Sequence, residues 1–230
     1  KILGRIPLPM LNIVSRLAAQ LPAGIRGRNW LASQRDGPAK SGVWGSPYFD
    51  VDLRRRLLHP DIINQLKGEL ETPEYQSLAL LQNSNGLVDG LTRQDFQQLL
   101  PDDYLVKVDR ASMANSLEVR TPFLDHKLVE FAFSRIPSDW KCTVSERRRV
   151  QNVMAKKYLP NVFEINRKQG FSVPMDEWLK KTQLNCLIEL LPKDVFNVSY
   201  IRDLITGQHL GRTNGARLFA LLMLTHVAYG

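Results

Sequence analysis

Residues 101–125, PDDYLVKVDRASMANSLEVRTPFLD, limit what this chain can fold into more than any other stretch. Pro101 has a fixed φ and no N–H to lose, and Asp102 and Asp103 set negative charge against the orphan donors of a first helical turn. Thr121 precedes Pro122, and a residue before proline is pushed out of the α region. The pattern predicts a helix that opens at Pro101 and closes before Pro122. Val106, Met113 and Leu117 recur at spacings of seven and four, so they share one face. At about 100° per residue, Asp109 falls between Leu105 and Met113 around the axis, and Arg110 falls just past Leu117, while Lys107 points away. An acid and a base therefore lie in or beside an apolar stripe, where an unpaired charge is costly. Glu118, Arg120 and Asp125 follow closely. Two readings stay open: an internal ion-pair network that locks helices together, or charges that serve a ligand.

The rest of the chain carries the same helical period. Residues 10–21 place Leu11, Val14, Leu17, Ala18 and Leu21 on one face between Pro9 and Pro22. Residues 23–47 are rich in Gly, Pro, Ser and Arg and read as a long loop with a short helix near Trp30. Its cations Arg26, Arg28, Arg35 and Lys40 are either solvated or available to phosphate. A short helix is expected over residues 49–58 with Asp50 at its start, and a second over 61–70. Thr72-Pro73 marks a third start, running to about Gln82. NSNG at residues 83–86 is turn chemistry, and residues 91–100 are amphipathic. Beyond Asp125, which is placed to cap the next helix, Leu128, Phe131 and Ala132 form an expected buried face. Thr143 and Glu146 have capping-box spacing before Val150, Val153, Met154 and Tyr158. Residues 161–174 are irregular, and helices are expected over 175–181, 193–206 and 214–229. There is no convincing period-two run, so the chain reads as mainly α.

Composition narrows the partners. The 230 residues allow one large domain or two small ones, and 43 % hydrophobic content is enough for a core. A net charge of +8 favours nucleotides, phosphates, nucleic acid or an acidic surface. Cys142 and Cys186 lack CxxC spacing and read as reduced, buried thiols of a cytoplasmic protein. The four histidines form no HxxxH pair, so no histidine metal site is expected. Residues 216–229 are interrupted by Arg217, Thr225 and His226 and are too short to span a membrane. Residues 1–25 are broken by prolines and lack the form of a signal peptide. A chain that starts at Lys1 fits a fragment or a processed product.

Two strings carry a family resemblance. KVDRASMANSLEVRTPFLD, residues 107–125, resembles a signature of the synthetase domain of glutamine-dependent asparagine synthetases. RKQGFSVP, residues 167–174, resembles the family's second signature, in the same order. The helical pattern extends the resemblance from about Leu100 to the end. It implies that residues 1–230 form the C-terminal, helical part of an α/β synthetase domain of the adenine-nucleotide-hydrolase, ATP-pyrophosphatase type. In that family a glutaminase domain releases ammonia, and the synthetase domain adenylates aspartate with ATP and Mg²⁺ before ammonia displaces AMP. The sequence contains no SGGxDS loop and no glutaminase, so ATP and Mg²⁺ are expected to be held mainly elsewhere, and these residues alone should be inactive.

The resemblance assigns roles by position. Lys168 matches the family's lysine at the phosphates, beside Gly170, whose tolerance of positive φ lets backbone approach a ligand. Arg167 is a second phosphate contact. Glu118 is the candidate acid/base or orienting carboxylate, unless it only pairs with Arg120 or Arg110. Arg120 clamps a carboxylate or holds Glu118. Asp125 is a helix cap or a substrate contact, and Asp109 and Arg110 buttress the site from behind. Lys168 and Glu118 must then converge on one hollow. Expected partners are ATP, aspartate or another carboxylate (a sugar acid, or a ring-closing substrate), and ammonia. Apolar surface left uncovered could drive association into a homodimer. A competing class is a basic helical nucleic-acid-binding module, suggested by Arg54–Arg56 and Arg147–Arg149 but lacking interleaved aromatics.

Overall fold

The computed structural model describes residues 6–37, 40–44, 46, 48–160, 173–180, 182 and 184–228. The described residues are mainly helical, with no strand and two isolated β-bridges, Leu58 with Phe196 and Cys142 with Arg147. None of these helices is long and apolar enough to cross a membrane. The chain divides into two compact units, residues 1–78 with 172–230, and residues 79–171.

The first unit joins both ends of the chain. It contains α1 (Leu8–Gln20), α2 (Arg28–Ala32), α3 (Ser41–Trp44), α4 (Val51–Leu57), α5 (Pro60–Gln65) and the start of α6 (Thr72–Gln82). It then takes up α12 (Met175–Lys180), α13 (Cys186–Leu190), α14 (Val198–His209) and α15 (Gly215–Ala228). Asp50 caps α4 by accepting from Leu53 N at 2.9 Å, and Arg54, Arg55 and Arg56 fall in its last turn, where the helix dipole favours cations. Leu53 and Leu57, four apart, sink into a core with Leu187, Ile201, Leu204 and Leu218. The two chain ends are stitched by His59 N to Val195 O and Asn197 N to Leu57 O, both 2.8 Å.

α14 is capped by Asn197, whose side chain accepts from Tyr200 N, and it buries Ile201, Leu204, Ile205 and Gln208 at helical spacing. Gly211 at φ +87° ends it: Arg212 N reaches Gly207 O at 2.8 Å and Gly211 N reaches Gln208 O, the paired bonds of a Schellman turn. A Cβ on Gly215 would lie 2.8 Å from the Asp176 backbone nitrogen, so only glycine lets α12 sit this close to α15. Gly215 N then donates to Asp176 Oδ1 at 2.7 Å, and Gln208 Nε2 to Asp176 O at 2.8 Å.

The second unit contains α7 (Leu87–Gln94), α8 (Val106–Met113), α9 (His126–Arg135), α10 (Ser138–Lys141) and α11 (Arg149–Tyr158). A π-helical run, Asp95–Leu105, joins α7 to α8 without a break and carries Pro101 inside it. No helix opens at Pro101, contrary to the sequence expectation. The wide i→i+5 winding is one way a helix continues past a residue that lacks a donor and crowds the preceding turn.

Several other expectations are corrected. The residues 23–47 loop carries two short helices, and Arg28 within it is fully buried rather than solvated. α1 buries Leu11, Ser15 and Ala18, while Val14, Leu17 and Leu21 are exposed. Leu128 and Phe131 on α9 are exposed rather than buried, and Val153, Met154 and Tyr158 on α11 are exposed too. Thr143 and Glu146 close a tight turn: Glu146 N donates to Thr143 Oγ1 at 2.9 Å and Thr143 N to Glu146 O at 2.7 Å. α11 starts later, after Arg148 at φ +56°, with no side-chain cap. Cys142 is half-buried and Cys186 exposed rather than buried, and neither forms a disulfide among the described residues.

Candidate active site

The segment that carries Glu118 and Arg120 is projected from the end of α8. Leu117 N donates to Ser112 O at 2.9 Å and Ser116 N to Met113 O at 3.0 Å, a second Schellman turn. Its pivot is Ser116 at φ +53°, in the left-handed region where glycine is the usual occupant. Beyond this turn the backbone is irregular as far as the short 3-10 turn Pro122–Leu124. Asp125 then caps α9, accepting from Lys127 N at 3.0 Å and Leu128 N at 3.4 Å, which is the cap expected of it.

Arg120 Nη2 pairs with Glu118 Oε1, and both side chains are largely exposed, at 85 % and 72 %. Asp109 and Arg110 are exposed as well, and neither forms an ion pair among the described residues. The charges predicted inside an apolar stripe are therefore on open surface, and the helix that was to carry them ends at Met113. That removes the internal-network reading for this segment. An exposed pair contributes about 0–1 kcal/mol, too little to lock two helices. Lys168, Arg167 and Gly170 lie outside the described residues, so the structure does not bring them to Glu118 or keep them from it.

Sequence reasoning missed a polar cluster in the same unit. Asp89, buried, accepts from Arg93 Nε at 2.9 Å and from Asn85 N at 3.1 Å, and Lys141 Nζ stands 3.9 Å away. The Arg93 hydrogen bond holds the Asp89 carboxyl below the usual carboxylate range, with burial acting the other way. Arg93 and Lys141 each lie 5.0 Å from the centroid of the Phe133 ring, and Asp89, Phe133 and Lys141 line a 300 Å³ cavity. The i,i+4 spacing of Asp89 and Arg93 was a readable signal. Nothing local ties Lys141 to them.

Among the described residues no group of three or more His, Cys, Asp or Glu side chains is placed to hold a metal ion. The described residues therefore offer no donor set for Mg²⁺.

Comparison with known families settles the affiliation. The model of the family described as asparagine synthase matches residues 17–228. This chain belongs to the asparagine synthase family. The match begins well upstream of Leu100, where the helical pattern around the two motifs had set the start, and it takes in the chain from the last turn of α1 through α6. Among curated relatives, asparagine synthetase [glutamine-hydrolyzing] 1 of Bacillus subtilis strain 168 is 27 % identical over 177 residues, covering 76 % of this chain and 27 % of the relative. Putative asparagine synthetases [glutamine-hydrolyzing] of Mycobacterium tuberculosis H37Rv and Mycobacterium bovis are 28 % identical over 188 residues, covering 78 % of this chain. This asparagine synthase family chain thus spans 27 % of the length of the curated relatives it matches. No solved structure matches it significantly.

Proposed function

We propose that the chain supplies the helical part of an ATP-dependent amidotransferase of the asparagine synthetase type. It works with a nucleotide-binding half of the SGGxDS kind and a glutaminase that delivers ammonia. One observation supports this most. The family's motif carboxylate, Glu118, stands exposed with Arg120 just past the strained Ser116 turn, where burial against the rest of the unit does not use it. Residues in sparsely populated backbone regions cluster at functional sites.

In this reading the substrate carboxylate attacks the α-phosphorus of ATP, and pyrophosphate leaves. Ammonia then attacks the acyl carbon of the adenylate, AMP leaves, and the nitrogen sheds a proton. Glu118 takes that proton or orients the nucleophile. Lys168 and Arg167 set positive charge at the phosphates, where negative charge develops in the transition state, and Gly170 lets the backbone approach. Arg120 holds a carboxylate, whether the substrate's or Glu118's. Asp125, by capping α9, holds the far end of the loop, and Asp109 and Arg110 flank it. We place the reaction in the cytoplasm, where cysteines outside any disulfide are at home. Of the two basic runs that suggested nucleic acid, Arg54–Arg56 is used internally: Arg54 pairs with Glu74, Arg55 with Glu71, and Arg56 donates to Ala19 O.

The test measures ATP-dependent pyrophosphate release and amide formation by the enzyme assembled from this chain and its nucleotide-binding half, with aspartate and a panel of other acids. Lys168→Ala and Glu118→Gln should each lower turnover by at least about 100-fold, on the scale of a lost transition-state contact. Full activity in both variants would refute the assignment. Activity on sugar acids with none on aspartate would replace asparagine as the product.

A further inference from the structure

In the first unit, α1, the turn after α2 and α4 surround a cavity of 540 Å³ with mainly polar walls. Small side chains make the room: Ser15 and Ala19 on α1 and Ala32 on α2 line it. Two hydrogen bonds fix the frame. Asp36 N donates to Asn12 Oδ1 at 3.1 Å, which ties the turn to α1. Arg56 Nη2 donates to Ala19 O at 2.7 Å, which ties α4 to α1.

The second bond also brings charged groups together. Arg16 lies one turn before Ala19, on the part of α1 that the Arg56 guanidinium reaches, and both arginines line the cavity. Asp52, also in the lining, lies one turn before Arg56 on α4, the spacing of an ordinary helical ion pair. No such pair forms, because Arg56 turns to Ala19 O and Leu21 O instead. Arg55 and Arg35 line the cavity as well, and both act on one neighbouring pair. Arg55 binds Glu71 at 2.5 Å, and Tyr75 donates to the same carboxylate at 3.0 Å. That Glu71 hydrogen bond raises the Tyr75 phenol above its usual range, and Arg35 pulls it down.

The cavity therefore holds charges that the fold does not use. Arg16, the Gln20 amide and the carboxylates of Asp36 and Asp52 form no hydrogen bond or ion pair among the described residues. Arg56 meets only carbonyl oxygens, which leave its charge unbalanced. Four guanidiniums face two carboxylates, and Glu71, outside the lining, takes part of Arg55. The surplus is thus between one and two positive charges, which matches the charge of a phosphate monoester, about −1.5 to −2 at neutral pH. The two carboxylates are acceptors that a bare anion cannot use and that hydroxyl groups can.

We propose that this cavity binds a phosphorylated sugar or polyol, with Arg16 and Arg56 on the phosphate and Asp52 and Gln20 on neighbouring hydroxyls. Its volume suits a small molecule. Asp36 and Asp52 turn away long polyanions by like-charge repulsion. The site contains none of the residues assigned to the amidotransferase reaction.

The experiment is a calorimetric titration of the full chain at fixed ionic strength with glucose 6-phosphate, ribose 5-phosphate and glycerol 3-phosphate. Inorganic phosphate and the unphosphorylated parents are titrated beside them. At least one ester should bind saturably, about tenfold or more tighter than inorganic phosphate, and the parents should not bind measurably. Arg16→Gln should weaken the ester about tenfold. Asp52→Asn should weaken the ester yet leave inorganic phosphate unchanged or tighter, a split that neither a structural role nor long-range charge would give. Neither side chain has a partner to lose, so the ligand-free variants should unfold close to the midpoint of the unaltered chain. Arg26→Gln, which removes the same charge outside the cavity, should bind as the unaltered chain does. The proposal is overturned by no saturable binding of any ester, by inorganic phosphate binding as tightly as the esters, or by ester binding that survives both cavity substitutions. The titration needs no catalysis, so an amidotransferase assay that fails would leave its result untouched.

Discussion

Ser116 and Gly211 occupy the same backbone position in two helix ends. Both sit at the left-handed residue of a Schellman turn, yet one carries a side chain and the other does not. For an L-residue that conformation costs roughly 1–2 kcal/mol. The cost falls where the family's signature residues leave α8, not in the core. No local pattern in NSLE announces it, because serine is not a usual left-handed residue. Asp125 was legible for the opposite reason, since a cap depends only on its own next three residues. Asp89 gives a test at this scale. Its carboxyl titrates below its unfolded value of about 3.9, so its stabilising contribution is complete above that pH and is lost as pH falls through the folded pKa. Asp89→Asn should lower stability at pH 7 by about 1–2 kcal/mol and flatten the loss of stability below about pH 4. Urea midpoints taken from pH 2 to pH 7 would show it, and an unchanged acid limb would refute it.

α4 shows how an element is set by residues far from it. Its cap, Asp50, also takes Arg28 Nη1, and Arg28 Nη2 donates to Ala19 O at 3.1 Å, so one carboxylate ties α4 to α2, and its arginine reaches α1. Removing one partner of a buried pair leaves an unbalanced charge. Arg28→Ala should therefore cost about 3–5 kcal/mol, and Arg28→Leu with Asp50→Asn should recover part of it. The denaturation midpoint should fall at unchanged m-value, and a loss under 1 kcal/mol would show the pair to be dispensable. The sequence placed the Asp50 cap correctly but left Arg28 either solvated or open to phosphate, since its partner is 22 positions away. α1 teaches the same lesson. Its period was readable, but the covered stripe is Leu11, Ser15 and Ala18, chosen by what packs against it and not by which side is most apolar.

Across the whole molecule the two units differ in kind. Every buried apolar side chain among the described residues belongs to the first unit. Residues 79–160 bury only Asp89 and Gly90, while Phe123 is 72 % exposed and Phe131 54 %. Helices without a buried apolar face open at low free energy. In the isolated chain, hydrogen exchange should be markedly faster in α7 to α11 than in α14 and α15. Addition of a nucleotide-binding half should slow the former and leave the latter unchanged. Equal protection in both units would contradict this account. Such exposed apolar surface is the kind that meets another protein surface, which supports the proposal that these helices complete a larger synthetase.

The amino-acid sequence alone determined what is local: a mainly helical chain, the Asp50 and Asp125 caps, most helix boundaries, and the two motifs that led to the asparagine synthase family. Tertiary structure decided which faces are covered, that Arg28 and Tyr200 are buried, that the residues 101–125 charges are exposed, and that Pro101 lies within a helix. The physical reason is range. Caps, turns and helical period arise within a few residues, whereas burial and charge pairing depend on groups brought together from 20 to nearly 190 positions away, which no local pattern records.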